Sequence, residues 1–383
     1  MRPRHLLLPV LLLGPATGLT AQAPAPRVIL FIGDGVGVSY WSAALLAAES
    51  LAIRTFPVAG LVDTRNVNDE ITDSAAGATV YAAGVRTYNG AIGLAADSTP
   101  VETVLEMAHR RRMATGLIAT SRFTHATPAS FAAHVVDRSM EWEIGKQIVE
   151  HDVTVVLGGG SVILDPTQRP DSLDLLSRVR RRYVYVETPA ALRALNLDTV
   201  RTLFGMFDPS HMPAALPRAM VSDTAPHDTT WTPARSPTLG EMTAAALAVL
   251  DHDPEGFFLM VEASQPDWRG HSNEPLEAVQ AEMLDFDDAV RVALDYRRRY
   301  PETLIVVTAD HETGGLALQE DSTRTVIAGY TSEGHTGELV PLFAVGPESP
   351  RFGGIIRNDR VGELLIEAVT GNAVGTPAIG RVD

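Results

Sequence analysis

The chain has 383 residues, no cysteine and a formal net charge of −16, from 31 Lys and Arg against 47 Asp and Glu. This acidic balance argues against nucleic acid or an anionic membrane surface as the main partner, because both recruit Lys and Arg. Without cysteine there can be no disulfide, thiolate metal site or cysteine nucleophile, so any metal must be held by His and carboxylate ligands.

Residues 1–23 have the pattern of a secretory signal peptide. Two arginines precede an apolar run over residues 6–13, and small residues follow as far as Ala23. The run is too short to span a bilayer, although a retained N-terminal anchor is an alternative interpretation. Cleavage after Ala21 and cleavage after Ala23 both fit the pattern. We expect an exported chain, periplasmic or secreted, with no membrane association after cleavage and with residues 24–383 forming one domain.

The rest of the chain alternates predicted strands and helices. Apolar runs that predict buried strands lie at 27–32, 114–120, 153–157, 257–262, 303–308 and 339–345, and predicted helices lie at 39–49, 102–112, 140–151, 275–300 and 359–369. This alternation predicts an α/β fold, a three-layer α/β/α sandwich with a central, mostly parallel sheet. The segment 161–236 is richer in Pro and Arg and less periodic, so we expect an insertion over one face.

Polar clusters follow the predicted strands, and ligands of such sheets gather at the carboxyl ends of strands. The first cluster has Asp34 between two glycines, directly after the first strand. The glycines at 33, 35 and 37 lack the spacing of a dinucleotide-binding turn. A carboxylate in a glycine turn suits a divalent cation, and a plain Asp-Gly turn is the alternative.

The second cluster, residues 72–79, places Ser74 at the start of an Ala-rich helix. Free backbone N–H groups there favour an anion and can activate a nucleophile, whereas a simple helix N-cap is the alternative. The third cluster follows the strand at 114–120, and Arg138 behind it is either a phosphate clamp or a surface arginine. His134 in the same stretch is interpreted as structural.

Further metal-ligand residue types recur after later strands, at Glu262, Asp267 and His271, at Asp310 and His311, and at His335. A carboxylate and an imidazole four residues apart, as at 267 and 271, can bind one metal on a turn or helix. Burying an adjacent Asp-His pair is costly unless both are paired or bound to metal. The set fits two metals on N/O ligands, a third ion on oxygen, a nucleophile and a guanidinium, the components of phosphoryl transfer.

The order of these motifs resembles the alkaline phosphatase family. The resemblance runs from Val28 to Gly346, in FIGDG (31–35), TDSAAGAT (72–79), GVRTYNGAIG (84–93), THATPASFAAH (124–134), MVEASQPDWRGH (260–271), VVTADHETGG (306–315) and GHTGELVP (334–341). It implies an alkaline-phosphatase-like catalytic domain that hydrolyses small phosphate monoesters to an alcohol and phosphate, with an alkaline pH optimum. It also makes a homodimer an expectation.

The resemblance further implies two Zn2+ ions and one Mg2+ ion, with specific ligands. The first zinc would take Asp267, His271 and His335, and the second would take Asp34, Asp310 and His311. The third ion would take Glu262 and Thr127, with Asp34 bridging to it. Ser74 would be the nucleophile that forms a phosphoserine, Arg138 would bind the phosphate, and Asp73 would orient Arg138.

Two positions depart from the best-known bacterial pattern of this family. That pattern has Asp two residues before the threonine ligand and Lys directly after the first-zinc Asp, where this chain has His125 and Trp268. The combination resembles compact enzymes of some marine and cold-living bacteria. Because His125 removes a negative charge, we expect weaker or less selective Mg2+ binding. Because Trp268 removes a cation, we expect product phosphate to leave faster.

Three competing functions need different residues. Phosphodiesterases and nucleotide pyrophosphatases of the same superfamily commonly use a threonine nucleophile and lack the third-ion site. A sulfatase would need proline at position 76, which is Ala76 here. An exported metal- or phosphate-binding protein without turnover would not need Ser74.

Overall fold

The computed structural model describes residues 25–215 and 236–372. The predicted signal peptide and residues 216–235 of the predicted insertion lie outside the described residues. Within the two described ranges, no helix combines the length and the apolar character needed to span a membrane.

The central sheet contains ten of the strands found among the described residues. The strands are β1 (Arg27–Gly33), β2 (Val58–Asp63), β3 (Ala114–Arg122), β4 (Val155–Gly159), β5 (Val184–Val186), β6 (Leu203–Met206), β7 (Phe257–Ala263), β8 (Thr303–Thr308), β9 (Glu312–Thr313), β10 (Ala317–Glu320), β11 (Val326–Gly329), β12 (His335–Thr336), β13 (Val340–Val345) and β14 (Gly354–Arg357). The sheet order is β14-β2-β13-β8-β1-β7-β3-β4-β6-β5, and β9–β12 form two small antiparallel pairs. Every neighbour in the large sheet is parallel except where β13 meets β2 and β8.

Helices cover both faces of this sheet, which confirms the predicted α/β/α sandwich. The helices are α1 (Val38–Ala47), α2 (Ser74–Ala83), α3 (Val104–Arg110), α4 (Ala126–Ala132), α5 (Glu141–Glu150), α6 (Leu175–Arg182), α7 (Pro189–Arg193), α8 (Leu239–Leu250), α9 (Gln265–His271), α10 (Leu276–Arg299) and α11 (Asn358–Thr370). Helices α1, α8 and α10 pack together on one face, and α2, α3, α4 and α11 pack together on the other.

The apolar runs of the sequence form the middle strands of the sheet, and helices cover both faces of these strands. Every residue of β7 and β8 is buried, as is β1 from Val28 onward. Strands buried on both faces are continuous apolar runs, and so they are visible in a sequence. Strand β2 and helix α8 went unpredicted, because β2 is only partly buried and α8 is apolar around most of its circumference.

The described part of the segment 161–236, which ends at residue 215 and resumes at 236, does not lie over one face of the sheet as expected. Its described part carries α6, β5, α7 and β6, and β6 pairs with β4, so the segment lengthens the sheet at one edge. The composition of this segment gives no sign that it adds strands to the sheet. Strand β5 has three residues, of which only Val186 is buried, and α6 buries only Leu175 and Val179 while its last turn is arginine.

Candidate functional site

The predicted site residues gather at the carboxyl ends of four adjacent strands, β8, β1, β7 and β3. Asp34 directly follows β1, Glu262 lies near the end of β7, and Asp310 comes two residues after β8. Thr127 lies in the first turn of α4, which follows β3. Because these strands are parallel neighbours, their ends meet at one edge of the sheet, where the polar side chains converge.

Two glycines let the helices that carry site residues approach the strand ends. Gly35 has a φ of +71°, and a Cβ there would lie 2.8 Å from the Cα of Asp267. Gly77, in the first turn of α2, would place a Cβ 3.0 Å from the carbonyl oxygen of Asp310. A larger residue at either position would push α9 or α2 away from the site.

Two histidines direct their Nε2 atoms at the same carboxylate. His271 Nδ1 lies 2.6 Å from the Glu333 carbonyl, and His335 Nδ1 lies 2.9 Å from the Thr72 carbonyl. A carbonyl only accepts, so each Nδ1 carries a proton, and Nε2 is the ring atom left to bind a metal. These Nε2 atoms are 3.2 Å apart, and they lie 3.3 and 3.7 Å from Asp267 Oδ1. Two imidazole nitrogens that face each other beside a carboxylate fit a cation.

His311 is oriented in the same way by Thr313. The Thr313 hydroxyl donates to Asp267 Oδ1 at 2.5 Å, so at 3.2 Å it accepts from His311 Nδ1. The Nε2 lone pair of His311 then faces Asp34 Oδ1 at 3.5 Å and Asp310 Oδ2 at 3.4 Å. Burial and the neighbouring His335 lower the pKa of His311 to about 3, which keeps the ring neutral and able to bind metal.

The carboxylates of the site are buried and repel one another. Asp34, Glu262 and Asp310 are fully buried. Burial first, and then the charges of Asp310 and its acidic neighbours, raise the pKa of Asp34 well above its ordinary value. Burial likewise raises the pKa of Glu262 to about 7 and raises that of Asp310. Buried carboxylates at this density need cations to stay ionised at neutral pH.

Asp34, His125 and Glu262 form a third group of candidate ligands. Their ligand atoms lie within 4.8 Å of one another. Asp34 Oδ2, Glu262 Oε1 and Thr127 Oγ1 are buried and have no hydrogen-bond partner among the described residues. Unpaired buried oxygens are rare in folded proteins, and an oxygen-ligated ion would satisfy all three. Asp34 also belongs to the group of Asp310 and His311, so its position fits a bridge between two ions.

Ser74 is the first residue of α2, and the preceding Asp73 caps that helix. Asp73 Oδ1 accepts from the Ala76 N–H at 2.9 Å. Ser74 Oγ lies 3.2 Å from His311 Nε2 and 3.5 Å from Asp34 Oδ1. The hydroxyl therefore stands at the positive end of a helix dipole and beside one of the candidate metal groups, where negative charge on its oxygen is stabilised.

Arg138 lies between Asp73 and His125. Its Nη1 donates to Asp73 Oδ2 at 3.0 Å, and its Nη2 donates to His125 Nε2 at 3.2 Å. Its backbone N–H donates to the Gly90 carbonyl at 2.9 Å, which fixes the loop that carries it. Burial first, and then Arg138, lower the pKa of His125 well below its ordinary value, so this imidazole is neutral.

Trp268 and His125 contact a third ring that sequence reasoning missed. The His211 ring lies 4.5 Å from that of Trp268 and 5.5 Å from that of His125, in both cases edge-on. The Arg122 backbone N–H donates to His211 Nδ1 at 3.2 Å, so the proton of the neutral ring is on Nε2. Burial, followed by Arg122, lowers the pKa of His211 to about 4. A neutral His211 ring therefore packs edge-on against Trp268.

Thr313 and His211 were missed for different reasons. Thr313 lies inside the quoted segment VVTADHETGG, so its hydroxyl two residues beyond His311 was a usable signal. His211 stands in DPSHMP, residues 208–213, where nothing in the local pattern distinguishes it. The pairing of β6 with β4 and the hydrogen bond from the Met212 N–H to the Thr120 carbonyl bring its segment to the site.

Known proteins match this chain over most of its length. The alkaline phosphatase family model matches residues 25–328. Alkaline phosphatase 3 of Bacillus subtilis is 31% identical, over 92% of this chain and 90% of that protein. Streptomycin-6-phosphate phosphatase of Streptomyces griseus is 34% identical over 90% of each. The structure of alkaline phosphatase from the Antarctic bacterium TAB5 aligns with a TM-score of 0.80 at 33% identity, over 91% of this chain and 99% of that one. The chain belongs to the alkaline phosphatase family and is a phosphoric monoester hydrolase.

Proposed function

We propose that the chain hydrolyses small phosphate monoesters through a phosphoserine on Ser74. The observation that carries this proposal is the position of Ser74 Oγ, 3.2 Å from His311 Nε2 and 3.5 Å from Asp34 Oδ1. A hydroxyl buried at a helix N-terminus among groups that can hold metal is suited to attack phosphorus.

We assign the two Zn2+ ions and the Mg2+ ion to the three groups described above. Asp267, His271 and His335 would hold the first zinc, and Asp34, Asp310 and His311 the second. Glu262, Thr127 and Asp34 would hold the third ion, with His125 beside it. When bound, these ions supply charge neutralisation and promote proton loss from oxygen nucleophiles, so we expect an alkaline optimum and loss of activity in strong chelators.

The chain's own residues perform the remaining steps. The Arg138 guanidinium binds two non-bridging oxygens of the phosphoryl group, and Asp73 holds that guanidinium in place. Ser74 Oγ forms a bond to phosphorus as the bond to the alcohol oxygen breaks. The alcohol leaves with a proton, and water then attacks the phosphoserine to release inorganic phosphate and restore the Ser74 hydroxyl.

Comparison of a monoester with a diester tests the reaction class. 4-Nitrophenyl phosphate and its bis-ester would be assayed from pH 7 to 10, with and without added Zn2+ and Mg2+. We expect the monoester to be much faster and to need metal. A faster bis-ester would assign the chain to the phosphodiesterases instead.

Substitution of the serine tests the proposed nucleophile. Ser74→Ala should lose at least roughly 1,000-fold in kcat while keeping its affinity for phosphate, because only bond formation is removed. Ser42→Ala, on α1 and away from the described groups, is the matched control. Unchanged turnover in Ser74→Ala would refute the phosphoserine.

The residues named so far recognise the phosphoryl group of the substrate. They do not determine which alcohol the phosphate ester carries. One relative of similar identity is named for streptomycin 6-phosphate, and another is named alkaline phosphatase 3, without a particular ester. We propose a broad range of small monoesters for this chain. A panel of sugar, nucleoside and aminoglycoside phosphates compared by kcat/KM tests it, and turnover confined to one ester would contradict it.

We also propose that residues 1–23 direct export, to the periplasm or the medium. Residues 24–383 would form one catalytic domain. Two chains would form a homodimer. The basic start and apolar run of residues 1–23 support export. The N-terminal sequence of the exported enzyme would distinguish cleavage after Ala21 from cleavage after Ala23. Light scattering on the purified enzyme would give the number of chains.

A further inference from the structure

A second group of metal-ligand residues lies outside the site described above. Glu106 on α3, His134 after α4 and His151 at the end of α5 place one ligand atom each within 4.8 Å of one another. His134 Nε2 lies 2.9 Å and His151 Nε2 3.2 Å from the same carboxylate oxygen, Glu106 Oε1. None of these residues belongs to the three groups at the strand ends.

Each of these side chains is positioned by a separate contact. Glu106 Oε2 accepts the Thr103 N–H at 2.8 Å in the capping box of α3, which leaves Oε1 for the two imidazoles. His134 Nδ1 lies 2.7 Å from the Gly93 carbonyl, so it carries a proton. The backbone N–H of His134 donates to the side chain of Gln147 at 2.8 Å.

The contacts of His134 leave two possible occupants for its Nε2. Nδ1 already donates to a carbonyl, so Nε2 beside a carboxylate needs either a second proton or a metal ion. A backbone carbonyl behind Nδ1 is the usual support for a histidine that binds metal through Nε2. His151 brings a second imidazole to the same carboxylate oxygen, and Glu106, His134 and His151 are all partly buried.

We propose that Glu106, His134 and His151 bind a zinc ion additional to those of the catalytic site. Two imidazole nitrogens and a carboxylate oxygen form a three-ligand set that zinc completes with water. This ion would link α3, the segment after α4 and the end of α5. In a chain without cysteine, such a link supplies a cross-connection that disulfides cannot.

Counting bound metal tests this proposal. The full-length protein would be stripped with a chelator, dialysed against buffered Zn2+ and analysed for zinc per chain. We expect His151→Gln to bind one zinc fewer than the wild type. Glu106→Gln should also bind one fewer, and its glutamine can still form the capping box of α3. His252→Gln, which removes a histidine elsewhere, should match the wild type.

A second measurement separates metal loss from misfolding. Near-UV circular dichroism of each variant would report native packing, and zinc should raise the melting temperature of the wild type more than that of His151→Gln. Equal zinc content in the wild type and in both folded ligand variants would overturn the proposal and leave a hydrogen-bonded cluster only. That outcome would not affect the assignment of the phosphatase site, because the two sites share no residue.

Discussion

Asp73 joins the start of the helix that carries Ser74 to the guanidinium of Arg138. One oxygen of this carboxylate accepts the Ala76 N–H at 2.9 Å, and the other accepts from Arg138 Nη1 at 3.0 Å. The second oxygen also accepts the Gly90 N–H at 3.1 Å. A single residue therefore fixes both the direction of α2 and the position of the guanidinium.

Substitution of Asp73 separates these two roles. Asp73→Asn keeps a good N-cap but loses the charge that holds Arg138, so we expect near-native stability and a roughly tenfold higher KM. Asp73→Ala should show the same kinetic defect and also lose about 1 kcal/mol of stability. Steady-state kinetics and urea unfolding check both. Equal stability of the two variants would contradict the capping role.

We expect His125 to affect the charge of the proposed third metal site. His125→Asp adds a carboxylate beside Asp34 and Glu262, so Mg2+ should bind about tenfold more tightly. His125→Asn has nearly the same size without the charge and should show no such gain. Mg2+ titration of the zinc-loaded enzyme, followed by activity and by calorimetry, measures the difference. A similar gain in both variants would show that side-chain size is responsible.

We expect Trp268 to affect how tightly product phosphate is held. Trp268→Lys places a cation near the phosphate, so the inhibition constant of phosphate should fall on the order of tenfold, with a lower kcat if product release limits turnover. Trp268→Met removes the ring without adding charge and serves as the control. Inhibition by phosphate at constant pH checks this. If Trp268→Lys left the inhibition constant unchanged, the tryptophan would have no role in phosphate release.

Glu262 should make the metal-free protein sensitive to pH. Burial raises the pKa of Glu262 from its ordinary value of 4.5 to about 7, so the folded chain keeps a proton that the unfolded chain releases. The stabilising contribution is present below about pH 4.5 and is lost as the pH rises through about 7. Relative to Glu262→Gln, the free energy of unfolding of the wild type should fall by up to about 3 kcal/mol over this pH range.

Urea unfolding of the wild type and of Glu262→Gln, in the presence of a chelator and at several pH values, measures this loss of stability. Added Mg2+ should abolish it in the wild type and have little effect on Glu262→Gln. Parallel pH profiles of the two metal-free proteins would contradict a raised pKa at this carboxyl.

The positions of the strand-end carboxylates could be predicted from the sequence because local patterns carry them. Asp34, Glu262 and Asp310 each follow or end an apolar run whose burial on both faces is visible in the residues themselves. Strands β5 and β6 could not be predicted from local patterns. Only one of the three residues of the edge strand β5 is buried, and β6 is only four residues long, although all four are buried. His211 was missed for the same reason, because its contact with Trp268 exists only after the sheet has extended.

The surroundings of His134 cannot be predicted from its own segment, which we interpret as structural. Its neighbours Glu106 and His151 come from α3 and from the end of α5, and only the fold brings these three side chains together.

Three groups of the chain itself orient the histidines of the site. The backbone carbonyls of Glu333 and Thr72 lie against His271 Nδ1 and His335 Nδ1, and the Thr313 hydroxyl lies against His311 Nδ1. Because these contacts do not involve an ion, they should persist when metal is removed. We therefore expect that the enzyme can be stripped of metal and reloaded without refolding of the chain.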